Sequence, residues 1–323
     1  MNPHSPTFRR LGLRSGLVAS LALLLLVGGL SCRKAKVNPD KTLGRTAAVL
    51  LKEGESQLKR GRFEEGRRTL RLIEENLPSA PEFPSAKLLI ADSFFYGSTA
   101  SYPEAMVEYQ SFLNYFPRHE MRDYALYRVA LCHYATIENA ERDQAETRKA
   151  LDAFQAFLKE APGSPYAAEA KAKVVQCWRR MAEHELSIGI FYVKSFHFGG
   201  AERRLKDLLA TYPEYVDRER AYYFLGEAMR KKFVPTDAYQ AFEKDFLAKA
   251  QKHTVGDLDK AEISEFTKLY KARQSELLAA YQAEAKGFYQ KLVESYPKSE
   301  WAHRAKDRLI EMGTQGVQEE LDS

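Results

Sequence analysis

The chain has 323 residues, of which 29% are charged and 45% apolar, the composition of a folded protein with a core of its own. Its net charge of +5 falls to near +2 once Arg9, Arg10 and Arg14 of the leader are set aside, and that balance gives no support for a broad nucleic-acid surface. Three cysteines are too few for a disulfide framework; Cys132 and Cys177 lie in apolar helical patterns and read as buried free thiols.

Residues 1–31 have the layout of a secretory signal: three arginines, an apolar run from Leu17 to Leu30, then Ser31-Cys32. The run of about 14 residues is short for a spanning helix, which needs about 20. A cysteine directly after a small residue at the end of such a run resembles a bacterial lipobox, although Gly29-Leu30-Ser31 departs from its usual order. The resemblance implies that Cys32 receives a covalent lipid, the only bound group expected, and becomes the mature N-terminus. Arg33 in place of an aspartate points to the outer membrane, with the domain on its periplasmic face. Residues 32–45 read as the lipidated N-terminus and a tether.

One spacing then recurs five times: a small residue, an apolar residue four on, another three on, and a proline five further. It reads Gly66, Leu70, Ile73, Pro78; Ala105, Tyr109, Phe112, Pro117; Ala150, Phe154, Phe157, Pro162; Ala201, Leu205, Leu208, Pro213; and Ala285, Tyr289, Leu292, Pro297. Offsets of four and three share one helix face, and the proline stops the helix. Each copy predicts the second helix of a helix–turn–helix repeat. The fold expected is all-α, a tetratricopeptide-repeat superhelical solenoid of about five helix pairs.

In chain order, the first helices carry Leu50, Gly54 and Leu58, then Ala91, Ser93 and Tyr96, then Tyr124, Tyr127 and Leu131. The polar stretch Glu138–Lys149 predicts an exposed loop. A helix is expected from Pro165 to about Arg180, with Ser164 as its cap, followed by a separate helix holding Gly189 and Tyr192 and a break at Gly199-Gly200. Repeats thus fill 46–232. The fifth is split: Tyr222, Leu225, Gly226 and Met229 form its first helix, and its second returns only at Ala285. Residues 233–284 between them predict a helical insertion, 285–313 the final repeat helix and a cap, and 314–323 a flexible tail.

Catalytic and metal motifs are lacking. Glu183-His184-Glu185-Leu186 has no second histidine four residues after the first, since position 188 is Ile, so it reads as a helix surface and not a zinc site. A non-enzyme is expected. Aromatic residues are plentiful, and most belong to repeat cores. Phe94 and Tyr127 fall just off the core register and are the candidates for a peptide-binding groove.

From Gly54 to about Lys232 the residues also resemble the BamD family, the tetratricopeptide lipoproteins of the β-barrel assembly machinery. The likeness is carried by Phe116-Pro117-Arg118-His119 leading to Asp123-Tyr124, by Arg142-Asp143, by Ala150, Phe154 and Leu158, and by Gly163-Ser164 before Tyr166. Arg180, Glu185, Tyr192, Arg204 and Tyr212-Pro213 follow in family-like order. The resemblance implies a membrane-anchored scaffold. Its C-terminal repeats would hold the periplasmic domains of a β-barrel assembly subunit, and its N-terminal repeats would engage unfolded outer-membrane proteins. It brings no interface residue with it, and Glu185 with Arg204 reads as an internal salt bridge. The insertion at 233–284 departs from the family. Two other readings stand beside it: a periplasmic repeat adaptor for cell-wall synthesis or envelope division, and an enzyme with a site in the insertion, which no clustered motif supports.

Overall fold

The structure, a computed structural model, describes residues 46–97, 100–233 and 236–322. The leader, the tether and Cys32 lie outside them. The described chain is all-α. Its helices are α1 (Ala47–Lys59), α2 (Phe63–Asn76), α3 (Phe83–Tyr96), α4 (Tyr102–Tyr115), α5 (Arg122–Ala135), α6 (Ala145–Glu160), α7 (Ala167–Lys194), α8 (Phe198–Thr211), α9 (Arg218–Arg230), α10 (Thr236–Ala250), α11 (Lys260–Ser295) and α12 (Glu300–Asp322). None of them is long and apolar enough to cross a membrane.

The five-fold spacing has one structural meaning throughout. All ten apolar anchors are at most 1% exposed, and burying each contributes about 2 kcal/mol. The residue before each proline, from Leu77 to Tyr296, caps its helix with φ between −123° and −137° and ψ between 46° and 59°. Its N–H donates to the carbonyl of the second anchor: Leu77 to Ile73, Phe116 to Phe112, Ala161 to Phe157, Tyr212 to Leu208 and Tyr296 to Leu292. Backbone pushed out of the helical region before a proline ends all five helices in the same way.

In three of the five pairs the first helix meets the first anchor at a glycine. Gly54 faces Leu70 and Gly189 faces Leu205, sixteen residues on in both cases, and a Cβ on either would lie 2.6 and 2.4 Å from the leucine. In the fifth pair Gly226 faces Tyr289 at 2.4 Å, sixty-three residues on. The contact is the same, with the insertion looped out between its halves. Buried clusters then run along the chain in neighbouring steps: α1–α3, α3–α5, α5–α7, α7–α9, and finally α9 with α11 and α12. This nearest-neighbour architecture is that of a solenoid. Cys132 and Cys177 are buried free thiols in two of these clusters.

Several expected boundaries move. The two helices expected over Pro165–Arg180 and around Gly189 are one helix, α7, of 28 residues. Nothing between Met181 and Ile188 breaks a helix, and Gly189 is there for its contact with Leu205, not as a turn. The helix starts at Ala167, with the Ser164 hydroxyl accepting from Tyr166 N in the preceding turn at 3.4 Å. Gly199 and Gly200 lie inside the first turn of α8 and break nothing.

The polar stretch at 138–149 is not a loose exposed loop. Its second half is helical, and Ala140 and Gln144 are buried. The Gln144 amide donates to the Asn139 and Arg142 carbonyls at 2.9 Å, and the His184 ring sits 2.7 Å from the Ala140 carbonyl, so the turn hydrogen-bonds to itself and to α7. At the other end, α12 runs through to Asp322, so 314–322 is helical where a tail was expected. The Glu and Gln content of this stretch favours helix.

The insertion is an arm. α10 and the first half of α11 pair through Tyr239, Phe242 and Phe246 against Phe266 and Tyr270, with ring centroids 4.9 to 5.9 Å apart. Capping boxes at Thr254/Asp257 and Asp259/Glu262 close its tip. No break separates the insertion from the final repeat helix: α11 is continuous for 36 residues, about 54 Å. Its inner half completes repeat five while its outer half forms the arm.

Candidate partner-docking surface

The two aromatic residues expected in a groove are part of the core. Tyr127 is 3% exposed, stacked on Tyr166 at 5.0 Å and packed against Phe154 and Phe157. Phe94 is half-buried between the first two clusters and covered by the Arg67 guanidinium 4.3 Å from its ring. A register error of one residue on a helix turns a side chain by about 100°, enough to exchange groove for core. Glu185 and Arg204 form the internal bridge, at 2.7 Å between α7 and α8. The neighbouring Glu183 pairs with Arg220 at 2.9 Å. Among the described residues no three metal-binding side chains come together.

The free aromatic surface lies elsewhere, at the turn between α7 and α8. A cleft of about 860 Å³ opens there, walled by Tyr192, Phe196, Phe198 and Phe233 with Arg203 and Lys232. Phe196 is 73% exposed, Phe233 64% and the adjacent Phe191 61%. Two exposed phenylalanines, Phe196 and Phe233, in one cleft make an apolar patch of the kind that marks protein contact.

Phe196 reaches the cleft through a strained backbone. The end of α7 is a Schellman motif: His197 N–H donates to the Tyr192 carbonyl at 2.9 Å and Phe196 N–H to the Val193 carbonyl at 3.2 Å. Phe196 therefore occupies the left-handed position at φ 63°. The end of α1 has the same pair of bonds, from Arg62 to Gln57 and from Gly61 to Leu58, with Gly61 at φ 76° in the equivalent place. A bulky residue there costs about 1–2 kcal/mol. Phe196→Gly is accordingly expected to stabilise the chain by about 1 kcal/mol, read as a higher urea midpoint. The same change removes the largest exposed wall of the cleft, so stability and docking should move in opposite directions.

Lys232, one wall of the cleft, belongs to an ionic clamp. Glu202 of α8 takes Lys232 at 2.7 Å and Lys206 at 2.8 Å, and Lys206 continues to Glu284 of α11 at 2.6 Å. Burial works to raise the Glu202 carboxyl, and the hydrogen bonds from Lys206 and Lys232 outweigh it and hold it below the usual carboxylate range. Lys232 also lies 4.3 Å over the Tyr281 ring, and Gln282 donates to the Arg230 carbonyl at 3.0 Å. The root of the arm is thus built into the same structure as the cleft. Arg203 has no carboxylate within 4.0 Å among the described residues and leaves the cleft a free cation. In sequence terms, the signal for this site was the dense aromatic run from Phe191 to Phe198, with a phenylalanine where a helix end calls for glycine.

The chain matches the family described as outer membrane lipoprotein, YfiO, over residues 44–244, and a tetratricopeptide repeat over residues 279–299. The gap between the two matches falls within the arm. Curated proteins named outer membrane protein assembly factor BamD are similar to it. The one from Haemophilus influenzae is 26% identical over 224 residues, covering 66% of this chain and 81% of that protein. The one from Rickettsia prowazekii is 28% identical over 212 residues, covering 66% and 82%. The match to the Caulobacter vibrioides protein is 27% identical over 184 residues and spans 60% of that protein's length.

Proposed function

Since the chain belongs to the YfiO family of outer membrane lipoproteins, we propose that it is an outer-membrane assembly factor that works by docking polypeptides without chemistry of its own. It is held at the periplasmic face by lipid on Cys32. One acyl chain binds a membrane only marginally, so two or three chains are needed for a stable anchor. Confinement to the surface raises the effective concentration of the solenoid for partners there. The cleft at the α7–α8 turn receives the periplasmic part of a β-barrel assembly subunit, and the repeats before it hold unfolded outer-membrane proteins. The observation that carries this reading is the exposed, strained Phe196 beside Phe233 and Arg203. Strain of this kind persists where the local geometry has a use.

Co-purification from detergent-solubilised membranes tests it. Wild-type chain should recover a β-barrel assembly subunit, and Phe196→Gly with Arg203→Glu should lose most of it while remaining folded. Recovery of cell-wall synthases alone would replace this reading with that of an envelope adaptor. The anchor has its own check: Cys32→Ala should leave the precursor unprocessed and move the mature domain from the membrane to the soluble fraction.

A further inference from the structure

A second cleft, of about 480 Å³, lies between the end of α5, the middle of α7 and the turn from α8 to α9. Its walls are aromatic. The Tyr134 hydroxyl donates to Gln176 at 2.5 Å, and its ring carries the Lys173 ammonium at 4.1 Å. Tyr215 stacks on Trp178 at 6.0 Å with the planes 14° apart, which fixes the ring as a flat wall.

The charges facing this cleft are unbalanced in one direction. Both lining carboxylates are already engaged. Glu183 accepts from Arg220 at 2.9 Å, and Asp217 accepts from Arg220 N–H at 3.1 Å as the cap of α9 and stands 3.9 Å from its side chain. Arg179 and Arg180 also line the cleft, and among the described residues neither has a carboxylate within 4.0 Å. Four arginines that bridge helices elsewhere in the solenoid are paired: Arg71 with Glu108, Arg122 with Glu160, Arg204 with Glu185, Arg308 with Glu227. Two adjacent free guanidinium groups beside two fixed rings complement a carboxylate next to an aromatic or large apolar group.

We propose that this cleft binds an acidic side chain and the aromatic or apolar side chain beside it on an extended polypeptide. The volume suits one or two side chains. A nucleic acid fits less well, because a phosphate chain needs cations along a track and here they converge on one point. The inference rests on the reading of the chain as a polypeptide-docking scaffold, and gives one of its sites a chemical preference.

The test is fluorescence anisotropy on the full purified chain with two labelled synthetic peptides. One has a central Leu-Asp-Phe-Asp-Leu in neutral flanks, and the other has Asn in place of Asp. The acidic probe should bind about ten-fold more tightly. Arg179→Gln with Arg180→Gln should abolish that preference without weakening the neutral probe. Both arginines lie on the surface of α7, and an unchanged circular dichroism melt confirms the fold. Equal binding of the two probes, a preserved preference in the double variant, or displacement of the acidic probe by a tighter-binding single-stranded oligonucleotide each overturns the proposal. If the preference is absent while a β-barrel subunit still co-purifies from membranes, this cleft assignment falls and the proposed function stands. If co-purification fails while the preference is present, the reverse holds.

Discussion

Glu227→Ala is expected to destabilise the C-terminal end of the solenoid by about 3–5 kcal/mol. Glu227 is 5% exposed and sits where α9, α11 and α12 meet. Its carboxylate accepts the Tyr289 hydroxyl at 2.8 Å, Arg308 Nε at 2.9 Å, Lys231 Nζ at 3.0 Å and Arg230 at 3.2 Å. Removing it strands the buried Tyr289 hydroxyl and takes from Arg230 and Arg308 the acceptor that joins three helices. Solenoids unfold by neighbouring units, so the loss should appear first in the last repeat and leave α1–α6 folded. Trp301 packs against Tyr223 and Phe224 at 5.1 and 5.7 Å and reports on that repeat. The chain has two tryptophans, so a Trp178→Phe background isolates the signal. A urea midpoint for Trp301 that does not move would show that the hub is held by packing alone.

The same carboxylate predicts a pH dependence. Burial alone would raise its pKa. Hydrogen bonds from Lys231, Tyr289 and Arg230 outweigh it and hold the group at about 2, against an ordinary 4.5. A depressed folded pKa contributes stability that is complete above the unfolded value and is lost as pH falls through the folded one. The contribution, about 3 kcal/mol, should therefore be present above pH 4.5 and disappear towards pH 2. Glu227→Gln, which cannot titrate, should remove that component of the decline in the Trp301 transition.

Much of this was legible beforehand, for a physical reason. A proline forces its predecessor out of helical backbone, so Pro78, Pro117, Pro162, Pro213 and Pro297 marked helix ends regardless of context. The anchors four and three residues apart could face only one way. The misreadings occurred where a residue type has two uses. The sequence predicts two helices, one ending near Arg180 and one holding Gly189, yet a glycine within a helix also serves close packing, and the contact of Gly189 with Leu205 lies within one continuous α7. Tyr127 falls just off the core register in the sequence, and its burial follows from contacts with Phe154 of α6 and Tyr166 that no local pattern records. The α7–α8 cleft as a whole has no local signature because it depends on a left-handed phenylalanine and on Phe233, 37 residues later, lying beside it.

Gly226→Ala is the second change with a large expected effect, and it tests whether the looped-out arm leaves repeat five a true repeat. On an exposed helix the substitution stabilises by up to about 1 kcal/mol. Here the new methyl would lie 2.4 Å from Tyr289 Cε1, 2.6 Å from Cζ and 2.8 Å from Cδ1. The ring cannot yield easily: Tyr289 is wholly buried, and its hydroxyl is held by Glu227. Overpacking of about 1–3 kcal/mol combines with a strained bond to a charged acceptor, worth about 1.5–3 kcal/mol, so a net loss near 3 kcal/mol is expected. Gly287→Ala in α11 supplies the opposite sign, because no atom lies within 4 Å of its Cβ and the site is exposed. Urea unfolding of the pair, followed at Trp301, should give midpoints displaced to either side of wild type. If Gly226→Ala were neutral, α9 and α11 would have to separate at little cost. The arm would then be a hinge and not a rigid extension of the repeat. A large loss at Gly226 with a gain at Gly287 instead means that α9 and α11 are locked together at Tyr289, so that the arm, continuous with Tyr289 in α11, is fixed to Glu227 of α9 and through it to Arg308 of the capping helix.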